Sequence, residues 1–188
     1  MKTLMGSIGA SLTATLLVGA AALAVQDAPK KDAAQKEHQW LQQLAGTWQV
    51  EIECNLKPDQ PEKSQATESV RQVGDLWIIA ESEGTFMGEP ASGVMTLGYD
   101  AEKQKYVGTS ICDGMSHLWV YEGTLDPAGK TLTLETEGPD PLTGKTAKFR
   151  DVMEIKSPTE RVLTSSMQKD GAWAKVATMT YRRAGRGG

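Results

Sequence analysis

Residues 44–54 read LAGTWQVEIEC, and the period of the apolar side chains changes inside this stretch. Upstream of Gly46, residues 38–45 carry apolar side chains at helical spacing, and the glycine occupies the position of a C-terminal cap. Downstream of it, Trp48, Val50, Ile52 and Cys54 alternate with polar residues. Strict alternation is typical of a strand with one face in a core and one in water. The stretch therefore predicts one short helix that runs directly into a first β-strand.

The same alternation recurs along the rest of the chain, separated by Gly, Pro and Asp residues that suit tight turns. The further predicted strands are 67–73, 76–85, 93–99, 105–112, 117–125, 131–137, 147–156, 161–168 and 173–182. No second helical pattern lies between them to provide the crossovers that parallel strands require, so the pairing is antiparallel. We predict an all-β fold: an antiparallel up-and-down β-barrel of about ten strands with one short N-terminal helix. A two-sheet sandwich is the alternative.

The N-terminal residues have the pattern of a secretory signal. Lys2 precedes an apolar run from about Ile8 to Val25, and Ala22-Leu23-Ala24 has the small-x-small pattern that signal peptidase cleaves. We expect a signal peptide over residues 1–24, with cleavage after Ala24, and a periplasmic or extracellular protein. A membrane anchor is the alternative, but the run is short and rich in Ala, Gly, Ser and Thr.

The remainder divides into a polar, disordered linker over residues 25–36, one barrel domain over 37–183 and a flexible tail over 184–188. The chain has 20 basic and 24 acidic side chains, a net charge of −4, and cleavage removes only Lys2 among them. This acidic balance argues against nucleic acid as a partner, and no membrane contact is expected after cleavage.

Cys54 and Cys112 could form one disulfide in an oxidising compartment, or they could be two small buried apolar residues.

The run Leu44-Ala45-Gly46-Thr47-Trp48 resembles the opening of lipocalin-like barrels of the calycin type. In those barrels the tryptophan closes one end, and an arginine of the last strand stacks across it. The resemblance implies that Trp48 pairs with Arg182 or Arg183, which end the last predicted strand.

A closer resemblance covers nearly all of the mature chain. Residues 38–48, 96–100 (TLGYD), 119–123 (WVYEG) and 150–152 (RDV) resemble the bacterial family known as domain of unknown function 1579. The resemblance implies a lipocalin-like fold. It carries over no catalytic residue, because the family has no established activity.

One strand offers a candidate ligand-binding face. His117, Trp119 and Tyr121 alternate in phase, whereas Leu118 and Val120 point the other way. If the first set lines the interior, it forms a polar and aromatic strip suited to an organic ligand. If the second set does, His117 lies on the outside near a turn.

Charged residues offer two further candidates for ligand binding. Glu81 and Glu83 share one face of a strand and could do acid and base work or hold a cation, or they could form an exposed acidic edge. Arg150, if it faced inward, would anchor an anion, or it could pair internally with Glu81 or Glu83.

The sequence contains few residues that could bind a cofactor or a metal ion. A lone histidine could be an axial haem ligand, as in the nitrobindin-type barrels that also open with Gly-x-Trp, but no histidine lies near the C-terminal strands. The two histidines and two cysteines lack the spacing of a zinc site. We therefore predict no cofactor and no metal.

Three functions are compatible with the sequence. The first is an exported binding protein that holds a small hydrophobic or amphipathic molecule in the barrel. The second is a hydrolase or isomerase that uses the carboxylate, histidine and arginine groups at the barrel mouth, although no catalytic motif is present. The third is a structural or protein-interaction domain, which large exposed apolar patches would favour.

Overall fold

The computed structural model describes residues 32–56, 60–86 and 88–185. The predicted signal peptide and residues 25–31 of the predicted linker lie outside the described residues. Within the described part of the chain, no helix is long and apolar enough to cross a membrane.

Ten antiparallel strands close into one barrel after a single short helix, which confirms the predicted fold and shows that the sandwich alternative is wrong. Each strand pairs with its neighbours in the chain, and β1 closes the barrel against β10. The elements are α1 (Lys36–Gln42), β1 (Gly46–Cys54), β2 (Glu62–Val73), β3 (Trp77–Phe86), β4 (Glu89–Asp100), β5 (Lys105–Cys112), β6 (Trp119–Leu125), β7 (Thr131–Pro139), β8 (Thr146–Ser157), β9 (Glu160–Lys169) and β10 (Ala172–Arg183). We call the end that carries α1 the base and the opposite end the mouth.

Local backbone chemistry explains how the sheet turns and closes. The β9–β10 hairpin turns through Asp170 and Gly171, whose φ angles of 50° and 81° match the tight turn that twisted strands favour. On β6, a Cβ atom at Gly123 would lie 2.0 Å from the carbonyl oxygen of Thr133 on β7. Only glycine permits that close approach of two strands, and such positions let a sheet curve into a barrel.

Helix α1 begins and ends earlier than the predicted segment 38–45. The backbone N–H of Gln35 donates to Nδ1 of His38 at 2.9 Å, so the helix begins within the predicted linker. At its other end the N–H of Leu44 bonds to the carbonyl oxygen of Leu41 at 3.0 Å, a tighter turn that leads into β1.

The base holds the main hydrophobic core. Helix α1 covers it, and the indole N–H of Trp40 donates to the carbonyl oxygen of Gly129 at 2.8 Å. The indole N–H of Trp48 donates to the carbonyl oxygen of Leu44 at 2.9 Å, which ties the start of β1 to the end of the helix. A second, smaller cluster lies at the mouth and contains Cys54, Leu56, Phe149, Met167 and Val176.

Arg183, not Arg182, stacks on Trp48 at the base. The guanidinium carbon of Arg183 lies 4.3 Å from the centre of the indole ring, and its N–H groups donate to the carbonyl oxygens of Ala45 and Gln43 at 2.7 and 2.9 Å. Arg182 points outward, where it pairs with Glu51 at 2.9 Å. Alternate residues of a strand face opposite sides, so only one of the two arginines can reach the base, and the closure predicted for Arg182 is wrong.

Arg183→Ala should lower the free energy of unfolding by about 1–2 kcal/mol, because it removes hydrogen bonds to carbonyl groups and a cation–π contact. Arg182→Ala should change it by about 0.5 kcal/mol or less, because exposed ion pairs contribute little. Urea denaturation of the two single variants measures the difference, and equal losses would contradict the assignment of Arg183.

Of the two alternatives for the cysteines, the structure rules out the disulfide, because both cysteines are free. Cys54 ends β1 in the small cluster at the mouth, and Cys112 ends β5 opposite Gly93 of β4. Three strands separate β1 from β5 around the barrel, which places the two thiols on different parts of the wall.

Candidate functional site

The interior of the mouth half is lined by two unlike walls. Strands β2 to β5 present small inward side chains there, and these are half-buried rather than buried: Ser64, Ala66, Ala80, Ser82, Ser110 and Cys112. The inward faces of β6, β8 and β9 carry bulky ones: Trp119, Tyr121, Phe149 and Met167. Small, partly accessible residues next to large aromatic ones are the lining expected of a ligand-binding barrel.

The aromatic wall is built around Trp119. Its ring makes edge-to-face contacts with His117 at 4.9 Å and with Phe149 at 5.2 Å between centroids. Gly138 on β7 makes room for the first of these pairs, because a Cβ there would lie 2.3 Å from the indole ring and 2.8 Å from Nε2 of His117. The glycine thus positions both rings at the mouth.

Of the two alternatives for this strand, the structure has the face of Trp119 and Tyr121 inward. Leu118 and Val120 are 53% and 58% exposed, whereas Tyr121 is buried. His117 lies just before β6, half-buried at the rim, with Nε2 3.1 Å from the carbonyl oxygen of Glu137. It therefore borders the interior.

A half-buried aspartate, Asp151, whose Oδ1 atom is buried, lies in the same region and was not among the predicted site residues. It faces inward from β8, opposite Ser165 of β9, in phase with Phe149 and Met153. Burial raises the pKa of the Asp151 carboxyl, and hydrogen bonding by the hydroxyls of Ser165 and Tyr121 opposes the rise. Burial and the negative charge of Asp151 together raise the pKa of the Tyr121 hydroxyl.

Two buried polar atoms in this interior lack partners among the described residues. One is Oδ1 of Asp151, and the other is Oγ1 of Thr136, whose residue is only 7% exposed. Thr136 lies opposite Phe149 in the sheet, so both atoms border the aromatic wall. A buried polar group without a partner costs about 1–3 kcal/mol, and such groups are uncommon unless something else satisfies them.

Glu81 and Glu83 lie on the outer surface, so the alternative of an exposed acidic edge is confirmed and their assignment to the ligand-binding site is wrong. Both are exposed, and the intervening Ser82 faces inward with its hydroxyl 3.4 Å from the carbonyl oxygen of Gly93. The buried residue of this strand is Ile78, which shares the face of Ser82 rather than that of the two carboxylates.

Arg150 also faces outward, which corrects the prediction of an inward anion anchor. Its guanidinium bonds to the carboxylate of Glu135 at 2.6 Å and stacks 4.1 Å from the ring centre of Trp173. The predicted internal pairing with Glu81 or Glu83 is therefore wrong as well. Since the two glutamates and the arginine are on the outside, they do not converge with His117 on a catalytic centre.

A second buried charged group lies at the base. Arg161 is 2% exposed, pairs with Glu68, and stacks on the rings of Trp48 and Tyr181 at 4.5 and 4.3 Å. Burial raises the pKa of Glu68, and the nearby guanidinium opposes the rise. This group is enclosed by the main core, below the space between the two walls.

Over the described residues, the outer surface includes two recesses and an apolar patch. A groove of about 490 Å³ runs along β1, β2 and β10, and a recess of about 430 Å³ lies beside α1. Neither recess contains the aromatic wall or Asp151. The exposed apolar patch lies on β4 to β6 and consists of Val94, Ile111, Leu118 and Val120.

Metal chemistry has no visible basis within the described ranges. No group of three or more His, Cys, Asp or Glu side chains there comes together as a metal ion would require.

Solved structures with this fold include several barrels of low sequence identity. Rv2717c from M. tuberculosis is 16% identical, with a TM-score of 0.61 over 81% of this chain and 99% of that one. The S-type phycobiliprotein lyase CPES from Guillardia theta is 18% identical, with a TM-score of 0.54 over 79% of this chain and 93% of that one. EF1p2_mFAP2b bound to DFHBI is 17% identical, with a TM-score of 0.45 over 79% and 99%.

No curated protein matches the sequence significantly. One family model does, over residues 33–183, the whole of the barrel and its helix. Its description reads "Protein of unknown function (DUF1579)", which confirms the resemblance seen in the sequence. The chain therefore belongs to the DUF1579 family.

Proposed function

We propose that the protein is an exported carrier that holds a small, partly apolar molecule in the mouth half of the barrel. The observation that carries the proposal is a pair of buried oxygens, Oδ1 of Asp151 and Oγ1 of Thr136, that have no partner among the described residues and lie beside the wall of Trp119 and Phe149. An apolar wall with a few convergent polar atoms is the usual composition of a small-molecule site.

The stability of the barrel does not require these polar atoms. The base has its own core, closed by α1, and the strands are joined by a continuous hydrogen-bonded ladder. An apolar side chain at the position of Thr136 would stabilise such a barrel better, because no buried hydroxyl would then be left without a partner there. A ligand that supplies hydrogen bonds to these atoms accounts for their presence.

Export is part of the same proposal and rests on the N-terminal pattern of residues 1–24. A carrier that works outside the cytoplasm would collect its ligand there through the mouth. Its two free cysteines are compatible with this, because Cys54 is buried and Cys112 half-buried.

Native mass spectrometry of the protein purified from its own host tests both parts at once. We expect a mature chain that begins at Val25 and a bound mass that is lost on collisional activation. Ser82→Trp places a large ring in the space between the walls and should abolish the adduct. Glu83→Trp, one residue away on the outer face, is the matched control and should retain it.

Two outcomes would contradict the proposal. An uncleaved N-terminus would overturn export. An adduct that survives Ser82→Trp, with circular dichroism showing an intact fold, would place the bound molecule outside the barrel.

A further inference from the structure

We infer that the polar group of the ligand is a protonated nitrogen that pairs with Asp151, so that the ligand is a small aromatic or aliphatic amine. This inference rests on the proposed function, because it names the class of molecule that the interior would hold. It is carried by the partnerless Oδ1 atom of Asp151 together with the charge distribution inside the barrel.

The two inward carboxyl groups, those of Glu68 and Asp151, differ in their partners. Glu68 at the base has a cation, the guanidinium of Arg161. Asp151 forms no ion pair with any described residue, and only the hydroxyls of Ser165 and Tyr121 oppose the effect of its burial. Neutral hydroxyls satisfy part of the hydrogen-bonding capacity of a carboxylate but leave its charge uncompensated.

The charge of the missing partner of Asp151 follows from the charges of its neighbours. An anionic ligand would be repelled by Asp151, and the inward arginines, Arg161 and Arg183, are both engaged at the base. A neutral donor would restore a hydrogen bond without balancing the charge. A protonated nitrogen does both, and charge-assisted hydrogen bonds are about twice as strong as neutral ones.

Aromatic side chains lie near Asp151 on the inward faces of β8 and β6. Phe149 is two residues from Asp151 on the inward face of β8, and Trp119 is two residues from Tyr121 on β6. Aromatic faces attract cations and also pack against an apolar body. The same wall can therefore contact both parts of an amine whose nitrogen reaches Asp151.

Three probes that share one two-ring body and differ in charge test the inference: 2-naphthylmethylamine, 2-naphthylmethanol and 2-naphthoic acid. Titration calorimetry at pH 7 with the mature protein should give an affinity for the amine at least about tenfold higher than for the alcohol, with the acid weakest. Asp151→Asn keeps the shape of the side chain. It should lower the affinity of the protein for the amine to its affinity for the alcohol. Glu81→Gln removes a carboxylate from the outer face and should leave all three affinities unchanged.

The outcomes separate the inference from the proposal on which it rests. Equal binding of the amine and the alcohol by the unaltered protein would overturn the inference and leave interior binding intact. An amine preference that survives Asp151→Asn or disappears with Glu81→Gln would assign the cation to another carboxylate and also overturn it. Binding of none of the three probes would contradict the proposed function itself.

Discussion

Replacing Arg161 with methionine is expected to lower the free energy of unfolding by about 3–5 kcal/mol, the cost of leaving a buried charge without its partner. Arg161 is 2% exposed, and its guanidinium pairs with Glu68 and stacks on Trp48 and Tyr181. Methionine fills much of the same volume, so the loss would come mainly from Glu68 rather than from a cavity. Urea denaturation at pH 7.5 measures it.

The pH dependence of that loss identifies its cause. Without the guanidinium, which opposes the effect of burial, the pKa of Glu68 in the folded state should rise further above its ordinary value. A carboxyl group with a raised folded pKa favours folding at low pH and loses this contribution as the pH rises through that pKa. The loss in free energy of unfolding caused by Arg161→Met should therefore be small near pH 4.5 and largest above pH 7.

The double variant Arg161→Met, Glu68→Gln provides the control. It removes both charges and should recover much of the lost stability, because replacing a buried ion pair by neutral groups is often close to neutral. A double variant as unstable as Arg161→Met alone, or a deficit that does not change with pH, would show that stacking on Trp48 and Tyr181 is the larger contribution.

The fold could be predicted from the sequence because the alternation of apolar residues persists in nearly every strand. The bounds of β5, 105–112, agree with the structure, and most other strands differ at their ends by only one or two residues. The larger errors are β2 and β4, which begin at Glu62 and Glu89 rather than at Thr67 and Gly93. These added residues belong to the small-residue wall at the mouth, where the alternation lacks a large apolar side chain.

The candidate site could be predicted less well, for a related physical reason. Alternation separates two faces but does not say which one is inside when both carry apolar residues. On β6 the aromatic face proved to be inward and Val120 outward, and on β3 the face of Glu81 proved to be outward. Asp151 carried a usable signal, since an acid between Phe149 and Met153 on one face implies a buried carboxyl group once that face is known.

Asp151→Asn is expected to raise the free energy of unfolding of the ligand-free protein by about 1–3 kcal/mol at pH 8, although it removes a group that the ligand would need. The substitution keeps the side-chain shape and removes a charge for which no described cation compensates. Thermal and urea denaturation of the dialysed, ligand-free protein measure the change. Glu81→Gln is the control on the outer face, and its free energy of unfolding should differ from that of the unaltered protein by about 0.5 kcal/mol or less.

The sign of the pH dependence follows from the raised pKa of Asp151. The protonated carboxyl is favoured in the folded state, so its contribution to stability is fully present below the ordinary aspartate pKa and is lost as the pH rises through the folded value. The gain in free energy of unfolding from Asp151→Asn should thus be smallest near pH 4 and grow toward pH 8. The neighbouring Tyr121 stays protonated over this range, because its own pKa is raised. A variant that is less stable than the unaltered protein at pH 8 would mean that the hydroxyls of Ser165 and Tyr121 already stabilise the carboxylate. In that case the barrel would use Asp151 for its own packing, and Asp151 would have no uncompensated charge for a cationic ligand to balance.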